Sequence, residues 1–201
     1  MPVPRARRAG GARRTTVFDA VIRVLAERGY ENTRFADVSA ASGTAVSTLQ
    51  NCFGSRVDML IEAMRYATDQ ESAALEAVAE SESDPWRRLV ALIDRSLGSS
   101  EQDRQVLIEL WRSGIRDEEL RVHSEEEWKR YGAPFLKAVV EGVDQGVFRP
   151  VHPPEDIVDF LLAALAGFVI PRVLRHRAPS EAGFRSVLLS QLRAALGVDP
   201  R

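Results

Sequence analysis

Residues 33–56 read TRFADVSAASGTAVSTLQNCFGSR, and no other stretch narrows the possible fold as far. Gly43 divides two segments that are each too short to persist as isolated helices. Phe35 and Val38 before the glycine, and Leu49 after it, are apolar at positions where two helices can pack on each other. Val46, Ser47, Gln50 and Asn51 are then left facing outward. Two short helices across a glycine turn, the second carrying a small, mostly polar outer face, make a helix-turn-helix. In that arrangement the second helix enters the major groove of DNA.

Charge points the same way. The net charge of −2 hides an asymmetry: residues 1–56 hold nine basic and four acidic residues, and the rest of the chain holds 18 basic and 25 acidic. A basic front on an acidic body suits a polyanionic partner. An Arg-rich tail can also be an ordinary solvated surface, so charge alone leaves both readings open. Residues 1–14 (MPVPRARRAGGARR) contain five Arg, two Pro, two Gly and no acid. They read as a disordered basic arm whose Arg13 and Arg14 lie along phosphates, or as an unused tail.

The remainder has helical periodicity throughout, with no alternating stretch long enough for a strand. Val17, Val21, Val24 and Leu25 mark a first helix over residues 15–28, ended by Gly29. Thr33 caps the next, and its hydroxyl and the first free N–H groups suit a phosphate. Ser55 caps a long helix over 55–80, with Arg56 beside it where a phosphate can be held. Asp84-Pro85 opens another helix, with the acid as cap and proline at the first helical position. Ser99 with Gln102 resembles a capping box. Asp117 and the two glutamates after it start a long helix that Pro134 must kink or split. The helix over 155–175 is apolar almost all round, and Ser180 caps a last one. Two such terminal helices either complete a monomer core or pair with a second copy in a four-helix bundle. The paired reading is preferred, because a dimer places two recognition helices about 34 Å apart. Its interface falls to Leu161, Leu165, Phe168, Phe184, Leu188 and Leu192.

Three stretches carry a family resemblance. VIRVLAERGYENTRFADVSAASG followed by TLQNCFGSRVDML, then IELWRSGIRDEELR, then VEGVDQGVFRP, occur in the order seen in TetR-family transcriptional regulators, which the chain resembles over most of its length. The resemblance implies an all-α, nine-helix, two-domain architecture. Its parts are a disordered basic arm over 1–14, a helix-turn-helix domain over 15–58, and a helical ligand-binding and dimerisation domain over 59–201. It implies that Thr33 and Arg56 hold phosphates, that Arg34 lies near the groove and that Thr48 faces the DNA backbone. Two departures stand out: Ala45 replaces the usual capping Ser, leaving Thr44 to cap, and Val46 replaces the usual Lys. The recognition helix has no cation, so affinity leans on Arg34, Arg56 and the arm. Ser47 completes the contact set, and Gln50 and Asn51 can each make a bidentate contact to adenine.

The resemblance also implies a cavity between the helices of the larger domain. Trp86, Trp111, Trp128, Tyr131, Phe135, Phe160 and Phe168 are its candidate lining, for an apolar or aromatic small molecule, although aromatics equally build ordinary helical cores. The expected function is a homodimeric repressor released from a palindromic double-stranded DNA operator by such a ligand. Release is a population shift, with the helix over 55–80 as lever. A regulator without a small-molecule effector, or a helical interaction protein that no longer reads DNA, remain open.

Catalysis fits poorly. His123, His152 and His176 are scattered, no residue spacing suits a metal, and Cys52 has no evident base partner. No enzyme activity, cofactor or metal is expected. One cysteine, no apolar run behind the basic N-terminus and no membrane-length apolar stretch suit a cytoplasmic protein that has no membrane partner.

Overall fold

A computed structural model describes residues 5–177 and 180–198; the side chains of residues 5–13 and 119 lie outside that description. Among the described residues there are nine α-helices and one short 3-10 turn. The helices are α1 (Arg5–Arg28), α2 (Phe35–Ser42), α3 (Val46–Phe53), α4 (Arg56–Ser81), α5 (Pro85–Leu97), α6 (Glu101–Gly114), α7 (Glu118–Asp144), α8 (Pro154–Val173) and α9 (Glu181–Leu196), with the 3-10 turn at Tyr30–Asn32. The first four residues of the expected arm and the Arg13 side chain fall outside the description. From Arg5 the backbone is helical, ten residues before the expected start, in a stretch whose Ala and Arg favour helix despite Gly10 and Gly11.

Local chemistry explains most helix ends. The Asp84 carboxylate accepts the Arg87 N–H at 2.8 Å, and Pro85 follows at the first helical position of α5. Ser180 accepts the Gly183 N–H at 3.1 Å, and Gly197, at φ 61°, ends α9. The Ser55 hydroxyl accepts the Asp58 N–H at 3.0 Å at the head of α4. The box that opens α6 lies elsewhere than expected. Ser100 and Asp103 form it, exchanging N–H bonds of 3.0 and 3.1 Å, in place of Ser99 and Gln102. Helix α7 runs through Pro134 without splitting. Directly after it Phe135, Ala138 and Val139 are buried in one core, and their burial outweighs one missing backbone bond; Leu120, near the start of the helix, belongs to another core.

The chain forms two compact units. The first takes in residues 1–69 and 105–124, the second 70–104 and 125–201. The helix-turn-helix segment therefore shares its unit with the end of α6 and the start of α7, beyond the boundary expected near residue 58. Its core gathers Val21, Leu25, Val38, Leu49, Met59 and Leu60 with Val106, Leu110 and Leu120.

The second unit closes around Leu75, Leu89, Leu92, Phe135, Phe148, Leu161, Leu165, Leu188 and Leu192. This corrects the expected dimer face. Leu161, Leu165, Phe168, Leu188 and Leu192 are buried in the unit's own core, and Phe184 packs against that core with its ring 4.4 Å from that of Phe168. Regular spacing shows that residues share a helix face, but does not show which partner that face meets. The exposed stripe of α8 runs instead through Phe160 (57% exposed), Ala163, Gly167 and Ile170, with Val187 exposed on α9.

Candidate nucleic-acid interface

The turn between α2 and α3 rests on Gly43, whose φ of 69° belongs to the left-handed region and whose N–H reaches the Ser39 carbonyl at 3.0 Å. Leu49 (1% exposed) and Phe53 anchor α3 inward, and the Phe53 ring lies 5.9 Å from that of Phe18 on α1. With that face fixed, Ser47, Thr48, Gln50, Asn51 and Cys52 are exposed, and Thr44 and Val46 are half-buried at the edge. Helix α3 holds no basic residue in its first or last turn, and no side chain caps it at Ala45. Thr44 instead takes part in the turn through its N–H, which donates to Ser42 Oγ at 3.2 Å.

Two residues expected to hold phosphates are used internally. Thr33 is fully buried and donates its hydroxyl to the Gly29 carbonyl at 2.9 Å. Arg56 donates through Nη1 to the carbonyls of Tyr30 at 2.6 Å and Thr33 at 3.3 Å, and its guanidinium lies 5.2 Å from the Tyr30 ring centre. Both serve the corner between α1 and α2. Its part-buried carbonyls are served by these two side chains. Arg14 pairs with Glu62 of α4 and lies over the Phe18 ring. Its side chain is exposed, and exposed pairs are weak enough to exchange for a phosphate. Arg34 stays exposed at the head of α2, with its N–H on Asp37 at 3.0 Å. Arg23 holds the far end of α2 through the Ala41 carbonyl at 3.0 Å.

Residues 29–33 and their partners are invisible to periodicity. Tyr30 donates its backbone N–H to the Glu109 carboxylate at 2.9 Å, across 79 positions of sequence. The only local signal is an aromatic directly after the glycine that ends α1.

The seven aromatics expected to line a pocket do not gather. Trp111 belongs to the first unit, and Trp128 and Phe160 are exposed on the second. Trp86 is half-buried beneath Arg193 at 4.9 Å, in an open groove of about 1000 Å³ between α5 and α9. Phe168 lies in the core. Tyr131 and Phe135 remain together, their rings 5.9 Å apart. Helix phase, which aromatic content does not encode, separates the others. The Tyr131 hydroxyl donates to Ser96 Oγ at 2.6 Å, and burial pushes its pKa up to about 12. Glu71 pairs with Arg95 nearby, and burial is the largest influence holding its carboxyl above the usual range.

Comparison with known proteins bears on the fold and the family. Residues 17–63 match the model described as bacterial regulatory proteins, tetR family, and residues 85–197 match that of the BetI-type transcriptional repressor C-terminal region. The transcriptional repressor DhaR of a Mycobacterium species is 26% identical over 164 residues, covering 78% of this chain and 80% of its own. KstR2 of Mycobacterium tuberculosis is 26% identical over 147 residues, 69% and 70% of the two chains. A transcriptional regulator from Saccharomonospora viridis in complex with choline superposes with a TM-score of 0.81 at 24% identity, covering 90% of this chain and 95% of that one. Bacillus subtilis FadR in complex with stearoyl-CoA gives 0.76 at 19%, covering 92% and 99%.

Proposed function

The chain belongs to the TetR family of helix-turn-helix transcriptional regulators, and on that premise we propose that it is a homodimeric repressor released from a palindromic operator by a small amphipathic ligand. One observation carries the operator half of this reading. Buried Leu49 and Phe53 lock α3 so that Ser47, Thr48, Gln50 and Asn51 form one exposed face, short and polar enough to meet base edges. Gln50 and Asn51 supply readout, Thr48 meets the DNA backbone, and Arg34 and Arg14 supply the phosphate contacts.

Dimerisation rests on the exposed face of α8. Phe160 and Ile170 flank the small Ala163 and Gly167, which let a second helix approach closely. An effector site fits the cluster of Tyr131, Ser96, Glu71 and Arg95 beside Phe135, where polar groups adjoin the aromatic core. Stearoyl-CoA, bound by one structural neighbour, makes an amphipathic ligand the first class to try, and choline, bound by another, makes a quaternary amine the second. A regulator that reads an operator works where the DNA is, in the cytoplasm. Among the described residues no helix is long and apolar enough to cross a membrane.

Selection from random duplex DNA at low salt tests the reading. A two-fold symmetric site is expected. Enrichment of no site, or of an unsymmetric one, refutes it.

A further inference from the structure

The motif IELWRSGIRDEELR resembles part of the regulatory half of the family, yet its carboxylate sits at a corner of the DNA-reading unit. Tyr30 opens the 3-10 turn, where a backbone N–H has no partner within its own helix. The corner is part-buried, so that donor needs an acceptor, and Glu109 of α6 supplies one at 2.9 Å. Gly29, at φ 77°, takes the left-handed backbone that brings the chain into this corner, with the Glu109 carboxylate packed beside it. Arg112, one turn further along α6, holds the same carboxylate at 2.8 Å. On the opposite side of Tyr30, Arg56 takes the carbonyl at 2.6 Å. One peptide segment is thus held from both sides, by an anion on its donor and a cation on its acceptor.

We infer that Glu109 is a positioning residue for operator binding: from α6 it fixes the corner between α1 and α2, and so the angle at which α2 and α3 are presented. It touches no DNA. The corner has few ways to set this angle. Thr33 and Arg56 pin its inner side, and the Tyr30 N–H is pinned by α6. Helix α6 has its first four residues in the second unit, so the residue that completes the corner is delivered by a helix common to both. The inference rests on the DNA-binding reading above.

The test compares the full chain with Glu109→Ala and Glu109→Gln. Binding is measured to the selected duplex and to a scrambled duplex of equal length, and exchange of the Tyr30 amide is measured without DNA. Glutamine keeps an acceptor oxygen for Tyr30 and alanine does not. Glu109→Ala is expected to lose about tenfold for the selected duplex, or about 1.4 kcal/mol, while holding the scrambled duplex as before. Its Tyr30 amide exchanges faster than in the parent. Glu109→Gln stays within about twofold of the parent and keeps the amide protected. If the alanine variant melts below assay temperature, Glu109→Asp, one methylene short of Tyr30, takes its place with the same expectation.

Equal binding by the alanine variant and the parent overturns the inference. So does an equal loss in the alanine and glutamine variants, or a loss shared by both duplexes. A parent that selects no duplex removes the DNA-binding reading and the inference together. A parent that selects one, with Glu109→Ala its equal, removes the inference alone.

Discussion

Replacing Arg56 by Ala separates two tasks that the same side chain can perform at the head of α4. As a phosphate holder it would matter only when DNA is bound. As a corner clamp it matters in the free protein. The geometry supports the clamp: Nη1 lies 2.6 Å from the Tyr30 carbonyl and 3.3 Å from that of Thr33, with the Tyr30 ring 5.2 Å from the guanidinium. A hydrogen bond from a charged donor contributes about 1.5–3 kcal/mol. A cation over an aromatic ring adds about 0.5–1 kcal/mol at an exposed site. The 3.3 Å contact is long, and the arginine is only half-buried, so the lower ends apply and the loss is about 2–3 kcal/mol. For a chain of this length that lowers the melting temperature by roughly 5–10 °C. Far-UV circular dichroism of the DNA-free protein reads it directly. The second readout is the slope of log affinity against log salt, which changes by about 0.9 for each phosphate contact removed. The clamp predicts a large drop in melting temperature and an unchanged slope. An unchanged melt with a slope shallower by about 0.9 per protomer would refute the reasoning and return Arg56 to the phosphates. Lys at this position keeps the charge but loses the planar fork, and restores only part of the stability.

Thr33→Val keeps the volume but leaves the Gly29 carbonyl without the hydroxyl that now serves it; a loss of about 1–2 kcal/mol in urea unfolding is expected, with the salt slope of DNA binding untouched. Tyr131 governs an alkaline limb. Its folded pKa of about 12 lies above the ordinary value of 10.0, so its contribution to stability is complete below pH 10 and is lost as pH rises towards 12. Within that window the loss approaches about 1.4 kcal/mol for each tenfold fall in proton concentration. Tyr131→Phe should flatten the pH 10–12 part of a stability profile, and a limb as steep as the parent's would contradict that assignment.

Where a helix boundary depends on one residue and its near neighbours, it is legible in the sequence. Asp84-Pro85, Ser180 and Gly43 mark ends that local hydrogen bonding enforces. The cap of α6 is displaced by one residue because Ser99 and Ser100 are adjacent and both precede a polar residue at the right distance; only Asp103 returns the bond. Pro134 reads as a break because its local cost is evident, whereas the packing that offsets it comes from residues far along the chain. The recognition helix is readable from Leu49 and Phe53, whose burial fixes the outward face. Thr33 and Arg56 have internal partners that are not legible in sequence, for a different reason. Their side chains suit a phosphate and a buried carbonyl equally well, and the choice lies in backbone direction, which spacing does not carry. Likewise Leu161 and Phe160 are neighbours in an almost uniformly apolar helix, so periodicity does not say which faces the unit's own core.

Cys52 is the only cysteine in the chain, and it is exposed on α3 beside Asn51. Any thiol reagent therefore marks the recognition helix and nothing else. In a two-fold assembly the pair of marks becomes a ruler: spin labels on the two thiols report how far apart the reading helices stand, against the spacing of about 34 Å that successive major grooves demand. The same position also exposes the reading surface to oxidants, so a sulfenic or mixed-disulfide adduct there would be carried into the groove with the helix.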